Sequence, residues 1–278
     1  VRLPAQNSYF EVSAILKRHH LHTICQSAKC PNVAECWTAR TATFLILGDT
    51  CTRRCAFCAV KKGEPTGPFP DEPRELAEAV ARMGLDYAVI TSVTRDDLAD
   101  GGSSAFARTI RAIKEKRPQT KVEVLVPDFQ GAEDALRAVI AAAPDVVNHN
   151  LETTEPGYPR INRPARNYRR SLGVLEKAKI SGALTKSGLM VGLEETHPEI
   201  EQALSDLRGV GCDLLTVGQY LQPSQQNLPV SRYYTPREFE EIRRLALALG
   251  FKAVAAGPLV RSSYQARELF RIAAQGGA

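Results

Sequence analysis

From about residue 41 onward, short apolar runs alternate with amphipathic ones. Residues 43–47 form a continuous apolar run of strand length. Over 71–83, Leu76, Ala79, Val80 and Met83 recur at helical spacing, and Gly84 supplies a stop signal. The pattern then repeats. It predicts strands over 87–93, 122–126, 145–151, 186–193, 214–220 and 252–256. Between and after them it predicts helices over 103–116, 132–142, 167–179, 199–207, 236–249 and 264–274. Such regular strand-helix alternation implies a parallel sheet with right-handed crossovers. Ahead of it, Asn7 opens a helix with Val12, Ile15 and Leu16 on one face. The stretch 25–36 has neither period and reads as an irregular loop.

Composition changes this picture little. A chain of 278 residues is long enough for one α/β domain. Its 44% apolar and 24% charged content is ordinary for a globular protein. No run of about 18 apolar residues appears, which argues against a membrane span. The opening Val1-Arg-Leu-Pro4 has no apolar signal core and no initiator Met, leaving room for a short upstream segment. A cytoplasmic location is expected. The formal charge of +5, with signs mixed along the chain, calls for neither nucleic acid nor membrane.

Cysteine usage changes the picture most. Six of the seven cysteines lie between Cys25 and Cys58, ahead of a long α/β region, which favours metal or cluster binding over disulfides. Cys51, Cys55 and Cys58 are spaced C-x-x-x-C-x-x-C just past the first strand. Three thiolates there can hold a cluster and leave one iron open for chemistry. Cys25, Cys30 and Cys36 fit no common zinc pair and suit a second cluster. Cys212, alone before an apolar strand, is expected in the core. His19, His20 and His22 read as a polar helix end. Trp37 is equally a core residue or a shield over a cluster.

Polar stretches lie at or near strand ends: Thr91 to Asp97, Glu194 to Thr196 and Gly218 to Tyr220; two strands also carry them, Asn148 to Thr153 and Thr185 to Gly188. Asn150 and Glu152 alternate along one predicted strand face, which would be costly in a dry core and useful beside a ligand. His149 points the other way and reads as structural. Catalytic groups gather at the carboxyl ends of strands in α/β barrels. The predicted fold is therefore α/β, a partial parallel (β/α)6 TIM-like barrel. Residues 41–250 form it, 1–40 are an N-terminal extension with the first cysteine triad, and 251–278 are a C-terminal extension. The whole reads as one structural domain.

The cysteine loop, with Phe57 before its last cysteine, resembles the signature of the radical SAM superfamily. With Cys25, Cys30, Cys36 and the string Arg261-Ser-Ser-Tyr264, the chain resembles the lipoyl synthase family within it. The resemblance runs from about Leu3 to Arg267 and includes ILGDTCTRRC, TSVTRDDLADGG, NHNLET, TKSGLMVGL, GQYLQPS and GPLVRSSY. It implies that Cys51, Cys55 and Cys58 hold a 4Fe-4S cluster that cleaves S-adenosyl-L-methionine to a radical. It implies that Cys25, Cys30 and Cys36, with Ser263 as fourth ligand, hold an auxiliary 4Fe-4S cluster that supplies sulfur. On sequence alone Ser262 and Ser263 are equally helix-cap candidates. A serine oxygen binds iron more weakly than thiolate, which suits a cluster that is dismantled. The implied reaction inserts two sulfur atoms, at carbons 6 and 8 of a protein-bound octanoyl-lysine, with one S-adenosylmethionine used per insertion. The implied partners are octanoylated lipoyl carrier domains of 2-oxoacid dehydrogenases and the glycine cleavage H protein, and a ferredoxin or flavodoxin as electron donor. A monomer is expected. Candidate cofactor contacts are Phe57, Thr91, Ser92, Asn150, Glu152 and Lys186, the last also readable as a solvated lysine.

Two departures from the family pattern stand out. Glu194 occupies a usual glycine position in Gly192-Leu-Glu-Glu-Thr196, which bears on local backbone geometry. Ala56 and Ala59 replace residues that are often charged. The rival readings are another radical SAM sulfur-inserting enzyme and a non-catalytic zinc-binding module. Metal and product analysis separate them.

Overall fold

The computed structural model describes residues 7–39, 41–67 and 69–275, with side chains from Tyr9 onward. The first six residues of the predicted N-terminal extension and the last three of the C-terminal one lie outside the described residues. The chain forms two compact units. One comprises residues 1–54 and 59–145, the other residues 55–58 and 146–278.

The first unit begins with α1 (Asn7–Arg18), β1 (His22–Thr23), α2 (Ile24–Ser27) and α3 (Val33–Thr38). Then come β2 (Thr43–Ile46), β3 (Thr50–Cys51), β4 (Lys61–Lys62), α4 (Glu72–Met83), β5 (Tyr87–Ser92), α5 (Ser103–Lys116), β6 (Lys121–Leu125) and α6 (Glu133–Ile140). Its sheet runs β1-β2-β5-β6. β1 is antiparallel to β2, and the other pairs are parallel. All four residues of β2 are buried, as a parallel strand covered on both faces requires. α4 buries Leu76, Ala79, Val80 and Met83, and Gly84 ends it at φ 65°, where a side chain would strain the backbone.

The second unit contains β7 (Val146–Asn148), α7 (Arg166–Ile180), β8 (Thr185–Val191), α8 (His197–Gly209), β9 (Leu214–Gln219), α9 (Pro236–Ala248), β10 (Ala253–Gly257) and α10 (Ala266–Gln275). Its strands lie in the order β7-β8-β9-β10, all parallel. α8 and α9 each start with a capping box and a first-turn proline, from Thr196 to Glu199 and from Thr235 to Glu238. The core packs Leu175, Leu189, Val191, Leu204, Leu215 and Val217 with the flanking helices. Among the described residues no helix is long and apolar enough to cross a membrane.

The strand-helix alternation is as expected, with ends shifted by one to three residues in most elements. Two expectations fail. Cys25 and Cys36 sit on α2 and α3 rather than on an irregular loop. These helices are too short for a periodic pattern to show. The strand predicted over 145–151 ends at Asn148, because Glu152 turns left-handed at φ 74° and meets β8 only through an isolated bridge to Leu189. Asn150 and Glu152 are therefore beyond the strand, not within it.

One stability prediction arises in the second unit. The Asp213 carboxylate, 3% exposed, accepts from Lys179 Nζ at 2.9 and 2.8 Å and from the Thr185 N–H at 3.1 Å. Lys252 Nζ lies at 3.1 Å. Burial alone would raise its pKa, but these donors outweigh it and hold it below the ordinary carboxylate value. The stabilisation is therefore present above the unfolded-state value and is lost as pH falls through the folded one. Asp213→Ala removes the acceptor of the buried Thr185 amide and the counter-charge of two partly exposed ammonium groups. We expect a loss of about 2 kcal/mol and a Tm drop of roughly 4–8 °C at neutral pH, shrinking in acid, by thermal unfolding.

Candidate functional site

The first unit carries Cys51 at the end of β3. Its Sγ accepts from the backbone N–H of Arg53 at 3.4 Å and of Thr94 at 3.3 Å. These two donors fix where the Cys51 sulfur sits. Arg53 is fixed by a fork on Asp96 at 2.7 and 2.8 Å and by Asp128 at 2.6 Å. Burial opposes its charge, but the two carboxylates win and push its pKa up. Thr52 joins the same lattice, donating to the Thr94 carbonyl at 3.0 Å and accepting from Asp96 N–H. The peptide around Cys51 is thus held from the β5 end, where Thr91 and Ser92 lie as expected. Thr91 Oγ1 donates to the Leu125 carbonyl, while Ser92 Oγ is buried without a partner. An orphaned buried hydroxyl suits a polar ligand.

The other cysteine triad lies in the same unit. Cys30 N–H bonds the Cys25 carbonyl at 3.0 Å, closing the turn after α2. Burial pushes Cys25 up, and burial pushes Cys36 up to about 12, with Cys25 and Cys30 adding repulsion. Three thiols close enough to repel one another as anions need a shared cation to be stable as thiolates. Trp37, 1% exposed, stacks against Tyr9 at 5.2 Å. Its indole N–H has no hydrogen-bond partner, yet is near enough to Cys25 to favour the thiolate. Among the described residues no three His, Cys, Asp or Glu could hold a single metal ion. Ligands of a four-iron cluster stand farther apart, since each binds its own iron. His19 is no part of such a group, because its Nδ1 bonds Glu75 at 2.7 Å.

The second unit holds Cys55 and Cys58 on one turn, with Cys58 N–H bonding the Cys55 carbonyl at 3.2 Å. Two segments, 161–163 and 227–228, grip this turn. Ala56 N–H donates to the Ile161 carbonyl at 3.0 Å, and the Ala56 carbonyl accepts from Leu228 N–H. Asn227 Nδ2 donates to the carbonyls of Ala56 and Cys58 at 3.0 and 3.1 Å. Arg163 Nε donates to Cys55 Sγ at 3.4 Å. Ala56 acts only through its backbone, so its small side chain costs the turn nothing. Phe57 packs on Ile161, Leu193 and Tyr220, under the Arg163 guanidinium at 5.6 Å. Glu152 lies 3.7 Å from Arg163 and also bonds Asn150. Burial raises its pKa, opposed by Arg163 and Asn150. Asn150 Oδ1 is buried without a partner.

Lys186 departs from its expected place. It is the second residue of β8, paired with Asn148 and Leu214, so it lies near the amino end of the strand. It is 0% exposed, which removes the solvated-lysine reading. Cys212 and His149 are buried, as expected of structural residues. Ser263 sits in the turn before α10, where Tyr264 N–H bonds the Arg261 carbonyl at 2.9 Å. This segment is seated on β9: a side chain at Gly218 would meet the Val260 carbonyl at 2.1 Å. Glu194 adopts φ 70°, the conformation glycine favours. Its N–H bonds Ser231 Oγ at 2.8 Å and its carbonyl accepts from Arg160 at 3.1 Å. The neighbouring Glu195 ties down the Gly192 and Leu193 amides and the Tyr234 hydroxyl. The geometry that glycine would give is kept, held by these bonds.

Sequence reasoning missed Arg53, Arg163, Glu195 and Asn227. Arg163 and Cys55 are 108 positions apart, so no local spacing signals them. Only the placement of Arg53 between two cysteines offered a hint.

A family model of the Radical SAM superfamily matches residues 45–207, which include the cysteine loop. The lipoyl synthase of Caldicellulosiruptor saccharolyticus is 54% identical over 274 residues, covering 98% of this chain and 96% of the relative. That of Mycobacterium avium is 52% identical, covering 100% and 90%. The chain belongs to the lipoyl synthase family. Among solved structures, methylornithine synthase aligns over 90% of this chain and 82% of its own, with TM-score 0.56 and 12% identity. Coproporphyrinogen III oxidase of Escherichia coli, a radical SAM enzyme, aligns over 72% and 50%, with TM-score 0.51 and 15% identity. These two likenesses show the fold alone. Membership of the lipoyl synthase family excludes the zinc-module rival.

Proposed function

We propose that this chain is a lipoyl synthase that inserts two sulfur atoms into the octanoyl chain of an acylated carrier protein, at carbons 6 and 8. Family membership over the full chain carries this reading, and the two cysteine triads are its chemical support. Cys51, Cys55 and Cys58 would hold a 4Fe-4S cluster, and Cys25, Cys30 and Cys36 with Ser263 a second. When bound, the first supplies the electron that cleaves S-adenosylmethionine, one per insertion, and the second supplies sulfide.

The chain's own residues do the rest. Backbone amides of Arg53 and Thr94 and the Arg163 guanidinium hold the Cys51 and Cys55 sulfurs in place. Asn227 and the Ile161 carbonyl fix the backbone between Cys55 and Cys58. Thr91 and Ser92 are offered to the methionine end of the cofactor, Asn150 and Glu152 to the ribose, and Phe57 as a further contact. The unpartnered Ser92 Oγ and Asn150 Oδ1 support these roles. Lys186 is the weakest member of the set, given its place in β8. Partners of this chemistry are octanoylated carrier domains and a low-potential electron donor, in the cytoplasm. The test is product analysis. Anaerobic protein, S-adenosylmethionine, reductant and an octanoyl-lysine peptide yield a peptide bearing two added sulfurs. An unchanged peptide, or one with a different modification, overturns the reading in favour of another radical SAM reaction.

A further inference from the structure

Arg163 is placed where an arginine alters a neighbouring sulfur. Its side chain is 18% exposed and its Nε donates to Cys55 Sγ at 3.4 Å. Glu152 Oε1 lies 3.7 Å from Nη2 and is itself only 15% exposed. The guanidinium rests on Phe57 at 5.6 Å, and the Arg163 N–H bonds the Tyr158 carbonyl at 3.0 Å. The segment carrying it is stapled to the cysteine turn a second time, through Ala56 and Ile161. The charge is therefore fixed in position, and guanidinium does not lose its proton in proteins.

A permanent positive charge donating to a ligand sulfur stabilises the more negative, reduced form of an iron-sulfur cluster. Half-burial leaves this effect less screened than on the surface. Glu152 opposes it, since its carboxylate is close to the same guanidinium. We propose that Arg163 is a positioning and tuning residue that raises the reduction potential of the cluster held by Cys51, Cys55 and Cys58, with Glu152 as its moderating counter-charge. This rests on the functional reading above, through the assignment of Cys55 as a ligand. A purely structural ion pair predicts loss of folding on removing either partner, with no relation between potentials. Tuning predicts shifts of opposite sign.

The experiment is a redox titration of the reconstituted holoenzyme, followed by electron paramagnetic resonance, on wild type, Arg163→Met, Arg163→Lys and Glu152→Gln. Arg163→Met is expected to cut the ratio of reduced to oxidised cluster about tenfold at fixed applied potential, about 59 mV for one electron. Arg163→Lys, which keeps the charge but loses the fork, is expected to recover part of this. Glu152→Gln is expected to move the midpoint upward. If Arg163→Met does not hold its cluster, the Lys and Gln variants carry the test by the sign of their shifts. A reducible cluster with an unmoved midpoint in the Met and Gln variants, or a downward shift in Glu152→Gln, overturns the proposal and leaves the functional reading intact. Wild-type protein with no reducible four-iron cluster overturns both.

Discussion

Cys58→Ala is expected to abolish S-adenosylmethionine cleavage, leaving 5′-deoxyadenosine at the level of the enzyme-free control. Iron should fall from about eight to about four per chain, because one cluster is lost and the other kept. The choice of Cys58 matters. The contacts that shape this turn run through backbone atoms: the Cys58 N–H on the Cys55 carbonyl, and the Cys58 carbonyl under Asn227. Replacing the side chain leaves these in place, so the variant should unfold at about the temperature of wild-type protein stripped of the same cluster. Loss of cleavage in a folded protein then reports a lost ligand. An open iron needs three protein ligands and no more, so two thiolates cannot hold the cluster in its working form. Liquid chromatography of the nucleoside product and iron analysis of the same sample check both halves.

The second large effect separates the two triads. Cys30→Ala is expected to keep S-adenosylmethionine cleavage within about tenfold of wild type while formation of the sulfur-bearing product drops to background. Again the residue is chosen for its surroundings. Cys25 is buried and its removal would open a cavity, whereas Cys30 is half-exposed in the turn between α2 and α3. Its contribution to that turn is the bond from its N–H to the Cys25 carbonyl, which alanine keeps. A cleavage-competent, sulfur-incompetent enzyme is the signature of a lost sulfur source. Loss of both activities together would mean that the N-terminal triad serves the first reaction and not the second.

Much of this architecture was legible because long elements declare themselves. α4 has a clear apolar face, a stop glycine and twelve residues over which to show a period. α8 and α9 announce their starts with Thr-Pro or Thr-x-Pro and a glutamate three residues on from the threonine. Six cysteines so close together pointed to iron-sulfur chemistry rather than packing, and the Radical SAM match over residues 45–207 agrees. What was not legible is of three kinds. α2 and α3 have four and six residues, too few to show a helical period. The end of β7 depends on a left-handed Glu152, a conformation whose cause lies in tertiary bonds to Gly188 and Met190. The grip of Arg163 and Asn227 on the cysteine turn joins residues more than a hundred positions apart, and no single-sequence pattern encodes such pairs. Lys186 shows that a string of polar residues does not reveal burial or position along a strand: it lies fully buried near the amino end of its strand.

The central claim is that one cysteine triad serves cofactor cleavage and the other gives up its sulfur. The direct measurement is the product assay run on protein whose clusters were rebuilt with heavy-isotope sulfide, followed by mass spectrometry of the octanoyl-lysine peptide. The predicted result is a peptide carrying two heavy sulfur atoms, with none in the peptide made by Cys30→Ala. Product carrying sulfur of natural isotopic composition would contradict the account, because the sulfur would then come from outside the clusters.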